Sequence, residues 1–208
     1  MGELLGINAA AATTAIKPAG NSSVLLRTGN TVTGWYSRYI KRHVRVNAID
    51  PMAQFLIDAG VPHWPDVNEP NPRNPRVWVF AFPLESPEGA LLKDDLTAIQ
   101  QLENWLMFKR NYAEHGVSVT IYIEENEWVE VGNWILKNWD HVSGLTFLPK
   151  NNNTYALAPY ESLTKEQYDQ FVAGFPVIPW EKFHRYESGH DSTAVHRELA
   201  CTAGGCEI

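Results

Sequence analysis

The sequence predicts an α/β protein, because strand-like runs and amphipathic helices alternate along most of its 208 residues. Residues 76–83 are almost uniformly apolar, which is typical of a strand covered on both faces in a parallel or α/β sheet. A helix with apolar residues at three- and four-residue spacing follows at 94–112, and a second apolar strand comes next at 117–124. This alternation of strands and helices is the main evidence for the predicted fold class.

Composition indicates a soluble globular protein and excludes several function classes. The chain is 44% hydrophobic and 20% charged, and it can form one substantial core or two small ones. Its apolar runs break within about eight residues, whereas a membrane-spanning helix needs ~20. The net charge of −7 argues against a general DNA- or RNA-binding surface, which uses Lys and Arg to neutralise phosphates. The N-terminus lacks the features of a secretory signal, so we expect a cytoplasmic protein.

The first half of the chain contains short elements. β-branched residues predict a strand that stops at Pro18, and the residues after it supply a turn and a helix N-cap. Alternation of large and polar residues predicts a second strand, in which His43, Arg42 and Arg45 form a solvated face. Asp50 and Pro51 are typical of a helix start. The expected boundaries are a strand at 12–17, an N-cap at 20–23, a strand at 35–47, a helix from 50 to 60, and a proline-rich loop at 62–75.

The second half repeats the alternation with longer elements. After the helix at 94–112 and the strand at 117–124, we expect a helix at 128–139, a strand at 143–149 and a helix at 164–175. Four tryptophans at helical and strand spacing are expected in the core: Trp78, Trp105, Trp128 and Trp134. From Glu187 onward the residues are small and polar, which predicts a mobile tail over 187–208.

This tail carries the chain's two cysteines, Cys201 and Cys206. The two glycines between them allow the tight backbone that a disulfide needs, so a reversible dithiol is feasible. A structural disulfide between these cysteines would add little to the stability of the fold, because it closes a very short loop at a chain end. A tail of this length extends to about 70 Å, which favours a dithiol that enters an active site and leaves it again.

Two other interpretations of the tail stay open. The cysteines could be idle surface thiols in a reducing compartment. Alternatively, His190, His196, Cys201 and Cys206 are all residue types that bind zinc, although their spacing is not that of a typical structural zinc site. The dithiol interpretation predicts redox activity, whereas the zinc interpretation predicts a metal-binding adaptor.

A second candidate site follows the first predicted strand. A strand ending in lysine, a glycine that permits close backbone approach, and Ser or Asn at a helix start can present N–H groups and hydroxyls to a phosphate. The residues concerned are Lys17, Pro18, Ala19, Gly20, Asn21, Ser22 and Ser23. The same residues also form ordinary turns and caps, so a purely structural role is the competing interpretation. They match neither the P-loop nor the Rossmann pattern.

Four segments, taken in order, resemble the C-terminal part of adenosylcobalamin-dependent (class II) ribonucleotide reductases. They are Thr13–Gly20 (TTAIKPAG), Ser143–Pro149 (SGLTFLP), Asn153–Glu161 (NTYALAPYE) and the terminal Cys201-x4-Cys206. Each motif is modestly specific, but together they span the chain in the order of this family.

The resemblance implies that residues 1–186 are the C-terminal portion of the family's ten-stranded α/β barrel and that 187–208 are a flexible redox tail. It implies wall strands near 13–17, 117–124 and 143–148. It also implies that the 17–23 segment contacts the phosphates of a ribonucleotide, most simply a triphosphate. Cys201 and Cys206 would re-reduce an active-site disulfide and then be reduced by thioredoxin or a similar dithiol protein.

Parts of the family's chemistry have no counterpart in this sequence. Members form a thiyl radical with adenosylcobalamin and remove the ribose 2′-hydroxyl, yet no cysteine precedes Cys201 here. The resemblance therefore implies a partner, the N-terminal part of the reductase, which would bind most of the cofactor. A truncated or split enzyme would account for this. Ala19 also departs from the Ser or Thr of many relatives, which removes one hydroxyl from the loop. The competing function is a non-enzymatic nucleotide-binding or zinc-tailed adaptor.

Overall fold

A computed structural model describes residues 2–150 and 155–187 of this chain. The helices are α1 (Gly2–Leu5), α2 (Gly20–Leu26), α3 (Pro51–Asp58), α4 (Ala98–Asn111), α5 (Trp128–Lys137) and α6 (Lys165–Gly174). The strands are β1 (Tyr39–Asn47), β2 (His63–Pro65), β3 (Val77–Glu85), β4 (Thr120–Ile123), β5 (Thr146–Pro149) and β6 (Tyr160–Leu163). No helix in these two stretches is both long and apolar enough to cross a membrane.

The strands of the described residues form two sheets. One has the order β2-β3-β1-β6, in which β1 pairs antiparallel with β6 and β2 pairs antiparallel with β3. In the other, β4 and β5 are parallel neighbours. A parallel bridge between Ile16 and Val117 adds the first predicted strand to this group. The mixed helix and strand class is thus confirmed.

Several boundaries and pairings differ from the predictions. The apolar run in β3 suggested a parallel neighbour, but the loop predicted at 62–75 contains β2, which pairs with β3 antiparallel. The predicted strand at 12–17 is reduced to the bridge at Ile16, and β1 begins at Tyr39 rather than at Trp35. Helix α4 begins after Thr97, whose side chain caps it, instead of at Asp94. β6 was not predicted at all.

The chain divides into two compact units, and the first comprises Met1–Arg42 and Pro83–Val172. Its core lies where α4 and α5 cover one face of β4, and Ile121 and Ile123 are almost fully buried there. Trp105 is fully buried, and its indole N–H donates to the Val117 carbonyl at 2.8 Å. Trp105 and Trp134 therefore lie in the core as predicted, whereas Trp128 is 49% exposed, because it stands at the first position of α5.

The second unit comprises His43–Phe82 and Ala173–Ile208. Asp50 caps α3 by accepting a hydrogen bond from the Met52 N–H, with Pro51 at the first helical position, as predicted. Phe55 and Leu56 of this helix pack with Phe80 in a separate core. His43 is buried rather than solvated, because its position on β1 faces inward.

Candidate functional site

The face of β4 turned away from the helices is lined by aromatic and polar side chains. Strand residues alternate between faces, so Ile121 and Ile123 enter the helix-covered core while Thr120 and Tyr122 lie on the opposite face. The segment from Lys17 to Ser23, here called the 17–23 loop, follows the stretch that pairs in parallel with residues 115–118, just before β4. In parallel sheets, ligands bind near the carboxyl ends of strands. The 17–23 loop follows the carboxyl end of its short strand and is therefore the candidate site.

The 17–23 loop has a different cap from the predicted one. Helix α2 begins at Gly20 with Ala19 in the N-cap position, and no side chain caps it. The hydroxyls of Ser22 and Ser23 lie in the first turn and donate to the carbonyls of Ala19 and Gly20, at 3.4 and 3.0 Å. The prediction that a serine caps this helix is wrong, because these hydroxyls bond to carbonyls three residues earlier.

The start of α2 nevertheless presents free backbone donors. The first N–H groups of a helix have no acceptor within it. The Ser23 N–H is satisfied by the Ala19 carbonyl at 2.6 Å, but among the described residues none accepts from the N–H groups of Gly20, Asn21 and Ser22. A Cβ added at Gly20 would meet nothing within 4 Å, so the space beside this residue is open. The loop can therefore donate several hydrogen bonds to one anionic group.

Lys17 is held by the segment just before β4. Its ammonium donates to the Ser118 hydroxyl at 2.8 Å. Backbone bonds between residues 14–16 and 115–118 fix this juxtaposition, including Ser118 N–H to the Ile16 carbonyl at 3.0 Å. An ammonium has three donors, so Lys17 can bond Ser118 and still contact an anion.

A second cation reaches the loop from β1. The Arg42 guanidinium donates to the side-chain oxygen of Asn21 at 3.0 Å and, at 3.4 Å, to the Pro159 carbonyl. It also lies 4.4 Å from the centre of the Tyr160 ring. Arg42 and Tyr160 are direct partners in the register between β1 and β6. The pairing of β1 with β6 thus places the Arg42 guanidinium next to Asn21.

The Arg42 stack, formed by Arg42, Tyr160, Tyr36 and Lys93, continues from there. Tyr160 and Tyr36 are stacked with ring centres 5.7 Å apart. The Lys93 ammonium lies 3.8 Å from the Tyr36 ring centre and 5.4 Å from that of Tyr122. Cation–π contacts of this kind contribute roughly 0.5–2 kcal/mol. The stack therefore couples the loop to the interior of the first unit.

Tyr36 and Lys93 are brought together by a close backbone approach. A Cβ at Gly34 would lie 2.8 Å from the backbone of Leu92, so only glycine fits there. Next to it, Trp35 N–H donates to the Leu91 carbonyl at 2.8 Å, and Lys93 N–H donates to the Trp35 carbonyl at 2.7 Å. Gly34 thereby allows two distant segments to lie side by side.

Lys93 is only 2% exposed, and its ammonium lies over the rings of Tyr36 and Tyr122. Burial lowers the pKa of Lys93 below its ordinary value of 10.5; Lys150 lowers it further, and Asp94 offsets part of the effect. Burial likewise raises the pKa of the Tyr122 phenol, which favours its neutral form. Buried groups with perturbed pKa values are typical of a functional site.

The other predicted residues cannot be placed. Cys201 and Cys206, with His190 and His196 of the zinc interpretation, lie outside the described residues. Within residues 2–150 and 155–187, no cluster of three or more His, Cys, Asp or Glu could hold a metal ion. Sequence reasoning missed Arg42, Tyr160, Tyr36 and Lys93. Tyr160 lies in the motif at 153–161 and Arg42 was expected on a solvated face, but no local signal joins them, because their contact depends on the pairing of β1 with β6.

None of the protein-family models matches this chain. It is, however, 22% identical over 206 residues, 99% of its length, to the adenosylcobalamin-dependent ribonucleoside-triphosphate reductase of Lactobacillus helveticus. The enzyme of the same name from Euglena gracilis is 27% identical over 76% of the chain, and a probable one from Dictyostelium discoideum is 25% identical over 88%. The chain covers only 28%, 22% and 24% of these three proteins.

A solved structure gives the same result for the fold. The chain matches the crystal structure of a B12-dependent (class II) ribonucleotide reductase with a TM-score of 0.71 and 18% identity. The match covers 91% of this chain and 26% of that one. The chain is therefore similar, in sequence and in fold, to a segment of about a quarter of the length of adenosylcobalamin-dependent ribonucleotide reductases.

Proposed function

We propose that this chain is the portion of an adenosylcobalamin-dependent ribonucleoside-triphosphate reductase that binds the substrate phosphates and carries the redox tail. Residues 1–186 would form part of the catalytic barrel, and 187–208 would be the tail. The names of the relatives support a reductase rather than a non-enzymatic adaptor. The observation that carries the proposal is the 17–23 loop, whose free N–H groups lie beside an open space at Gly20.

The proposed phosphate site consists of Lys17, Pro18, Ala19, Gly20, Asn21, Ser22 and Ser23. Backbone N–H groups of Gly20, Asn21 and Ser22 would donate to phosphate oxygens, and Lys17 would supply positive charge. Ser23 supports the turn from within, since it is buried and its hydroxyl bonds to the Gly20 carbonyl. With Ala19 at the N-cap, the loop uses backbone donors where many relatives would add a hydroxyl.

Cys201 and Cys206 would return the enzyme to its reduced state after each turnover. Their two thiols would reduce an active-site disulfide by thiol–disulfide exchange, so that two electrons and two protons pass to the active site and the tail becomes a disulfide. A thioredoxin-like dithiol protein would then reduce the tail by the same exchange. The spacing of the two cysteines and the adjacent glycines support this role.

The cofactor of the relatives does not fit the cavity seen in this chain. A surface cavity lined by residues 27–35 and 87–91, with Leu96 and Asn104, has a volume of about 590 Å³ and is open to solvent. This volume is within the range for drug-sized ligands, roughly 300–1,000 Å³, and a corrin ring with its nucleotide tail is much larger than such ligands. We therefore derive no step through adenosylcobalamin from these residues and expect the rest of the enzyme to bind it.

The test is to combine the chain with the remaining portion of a class II reductase and to measure ribonucleotide reduction. The chain alone, with adenosylcobalamin and a dithiol, should show no turnover, since no cysteine precedes Cys201. In the combined enzyme, Gly20→Val should raise the KM for substrate strongly, because a side chain would fill the space that a phosphate needs. Ser23→Ala should weaken the free energy of substrate binding by only about 1 kcal/mol, the usual contribution of one hydrogen bond.

Gly144→Val is the matched control, because a Cβ at Gly144 also meets nothing within 4 Å but lies outside the loop. Its KM should stay at the wild-type value. Turnover by the isolated chain would refute the proposal that it is one portion of the enzyme. An unchanged KM in Gly20→Val would show that the loop is purely structural.

A further inference from the structure

Arg42 differs from the other cations around β1 in lacking a carboxylate partner. The remaining ones each form an ion pair: Arg38 with Glu85 at 2.8 Å, Lys41 with Glu161 at 2.9 Å, and Arg45 with Asp66 at 2.6 Å. Among the described residues, no carboxylate pairs with Arg42. Arg42 is therefore the one arginine or lysine of β1 for which no ion pair with a described carboxylate is found.

The guanidinium is held in a defined orientation beside the 17–23 loop. Its bonds to Asn21 and to the Pro159 carbonyl use two of its five N–H donors. The remaining donors suit an oxyanion, because the planar guanidinium can bond two oxygens of one phosphate at once. Asn21, its direct partner, carries one of the free backbone N–H groups of the loop.

The rest of the Arg42 stack restricts its motion. Arg42 lies over Tyr160, Tyr160 stacks on Tyr36, and the ammonium of the buried Lys93 lies over Tyr36. Lys93 is the inaccessible end of this stack, whereas Arg42 is only partly buried. A cation that is already ordered loses less entropy when it binds a ligand. The buried Lys93 thus helps to fix the position of the more accessible Arg42.

We propose that Arg42 is a phosphate-binding residue, which contacts the triphosphate of the nucleotide next to the 17–23 loop, and that Tyr160, Tyr36 and Lys93 are positioning residues for it. This inference rests on the proposed function, since it assumes that the loop binds phosphates. It adds a ligand-binding side chain from β1 that lies outside the loop motif.

The experiment titrates the full 208-residue chain with inorganic tripolyphosphate and measures affinity by calorimetry at two salt concentrations. Arg42→Gln should weaken binding about tenfold to a hundredfold, as expected for the loss of charge-assisted hydrogen bonds. It should also reduce the salt dependence, because one cation fewer neutralises the phosphates. Arg42→Lys keeps the charge and should retain the salt dependence with a smaller loss of affinity.

Arg45→Gln is the matched control, since it removes the same charge from the same strand at a residue that pairs with Asp66. It should bind like the wild type. Thermal unfolding of every variant checks that the chain is folded, and Arg42→Lys provides the binding comparison if Arg42→Gln unfolds.

The outcomes separate this inference from the proposed function. If Gly20→Val weakens binding while Arg42→Gln and Arg42→Lys bind like Arg45→Gln, the loop binds phosphate and the role of Arg42 is refuted. If the wild type does not bind tripolyphosphate, both proposals fail. Weakened binding in Gly20→Val and in both Arg42 variants, but not in Arg45→Gln, supports both.

Discussion

Single residues decide the character of the candidate site. Lys17 and Gly20 are recognisable in the sequence because they follow a β-branched run and precede a helix. Lys93 cannot be recognised in this way, because a lysine followed by two aspartates is expected to lie in solvent. It is buried because Gly34 lets the backbone at Leu92 approach closely, which sets the ammonium against Tyr36.

Lys93→Met tests the effect of this buried charge on stability. Because the folded-state pKa of Lys93 lies below its ordinary value of 10.5, the unfolded chain binds more protons. The free energy of unfolding of the wild type should therefore rise relative to that of Lys93→Met as the pH increases from neutral towards 10.5. Urea unfolding of both proteins over this range measures the difference. Titration of Tyr36 and Tyr122 occurs in both proteins and largely cancels.

A constant difference between the two proteins across this range would contradict the depressed pKa. It would mean that the ammonium is as well stabilised in the folded chain as in water. The positioning role of Lys93 would then depend on packing alone.

At the scale of elements, the segment before the 17–23 loop shows how a short strand is held. Residues 14–16 pair with 115–118 on one side, and this pairing forms only one bridge. Side chains strengthen it: the Thr13 N–H and hydroxyl both donate to the Glu114 carboxylate, at 2.6 and 3.0 Å. The Thr14 hydroxyl adds a bond to the Tyr112 carbonyl at 2.7 Å. Glu114 therefore anchors the strand that leads into the loop.

Glu114→Gln should loosen this anchor in a pH-dependent manner. The hydrogen bonds from Thr13 are the main reason that the pKa of Glu114 lies below its ordinary value of 4.5. A carboxylate with a lowered folded-state pKa stabilises the fold above pH 4.5, and this contribution is lost as the pH falls through the folded pKa. The wild type should thus be more stable than Glu114→Gln at neutral pH and lose this advantage in acid.

Amide hydrogen exchange at Ile16 and Ser118 measures the local effect, and urea unfolding measures the global one. Faster exchange at both amides in Glu114→Gln at neutral pH is the expected result. Equal exchange in the two proteins would show that the backbone pairing alone holds this strand.

At the scale of the whole molecule, the proposed function joins the described site to a tail that lies outside it. Replacing Cys201 or Cys206 by Ser in the combined enzyme should abolish turnover driven by thioredoxin. Turnover with dithiothreitol should persist, because a small dithiol reaches the active-site disulfide directly whereas a protein does not. Assays with the two reductants, together with a thermal melt, make the comparison.

The zinc interpretation makes the opposite prediction for the same variants. It expects loss of bound metal and local unfolding, without a difference between the two reductants. Equal loss of activity with thioredoxin and with dithiothreitol, in a variant that stays folded, would refute the shuttle.

The sequence by itself determined the fold class, most helices and the location of the 17–23 loop. Helix α3 begins where Asp50 and Pro51 predict it, and α4 and α5 follow the spacing of their apolar residues. These features depend on contacts between residues a few positions apart, so they are visible in local periodicity. The resemblance to the reductases also came from the sequence, and a reductase of this class is similar to the chain over 99% of its length.

Only the tertiary structure decided which side chains surround the loop. Arg42 belongs to the site because β1 pairs with β6, and Lys93 because residues 34–36 lie against 91–93. The antiparallel pairing of β2 with β3 was likewise hidden in a proline-rich stretch. The physical reason is that strand pairing satisfies backbone donors and acceptors between distant segments. A local pattern predicts that a segment forms a strand, but it does not identify the strand with which that segment pairs.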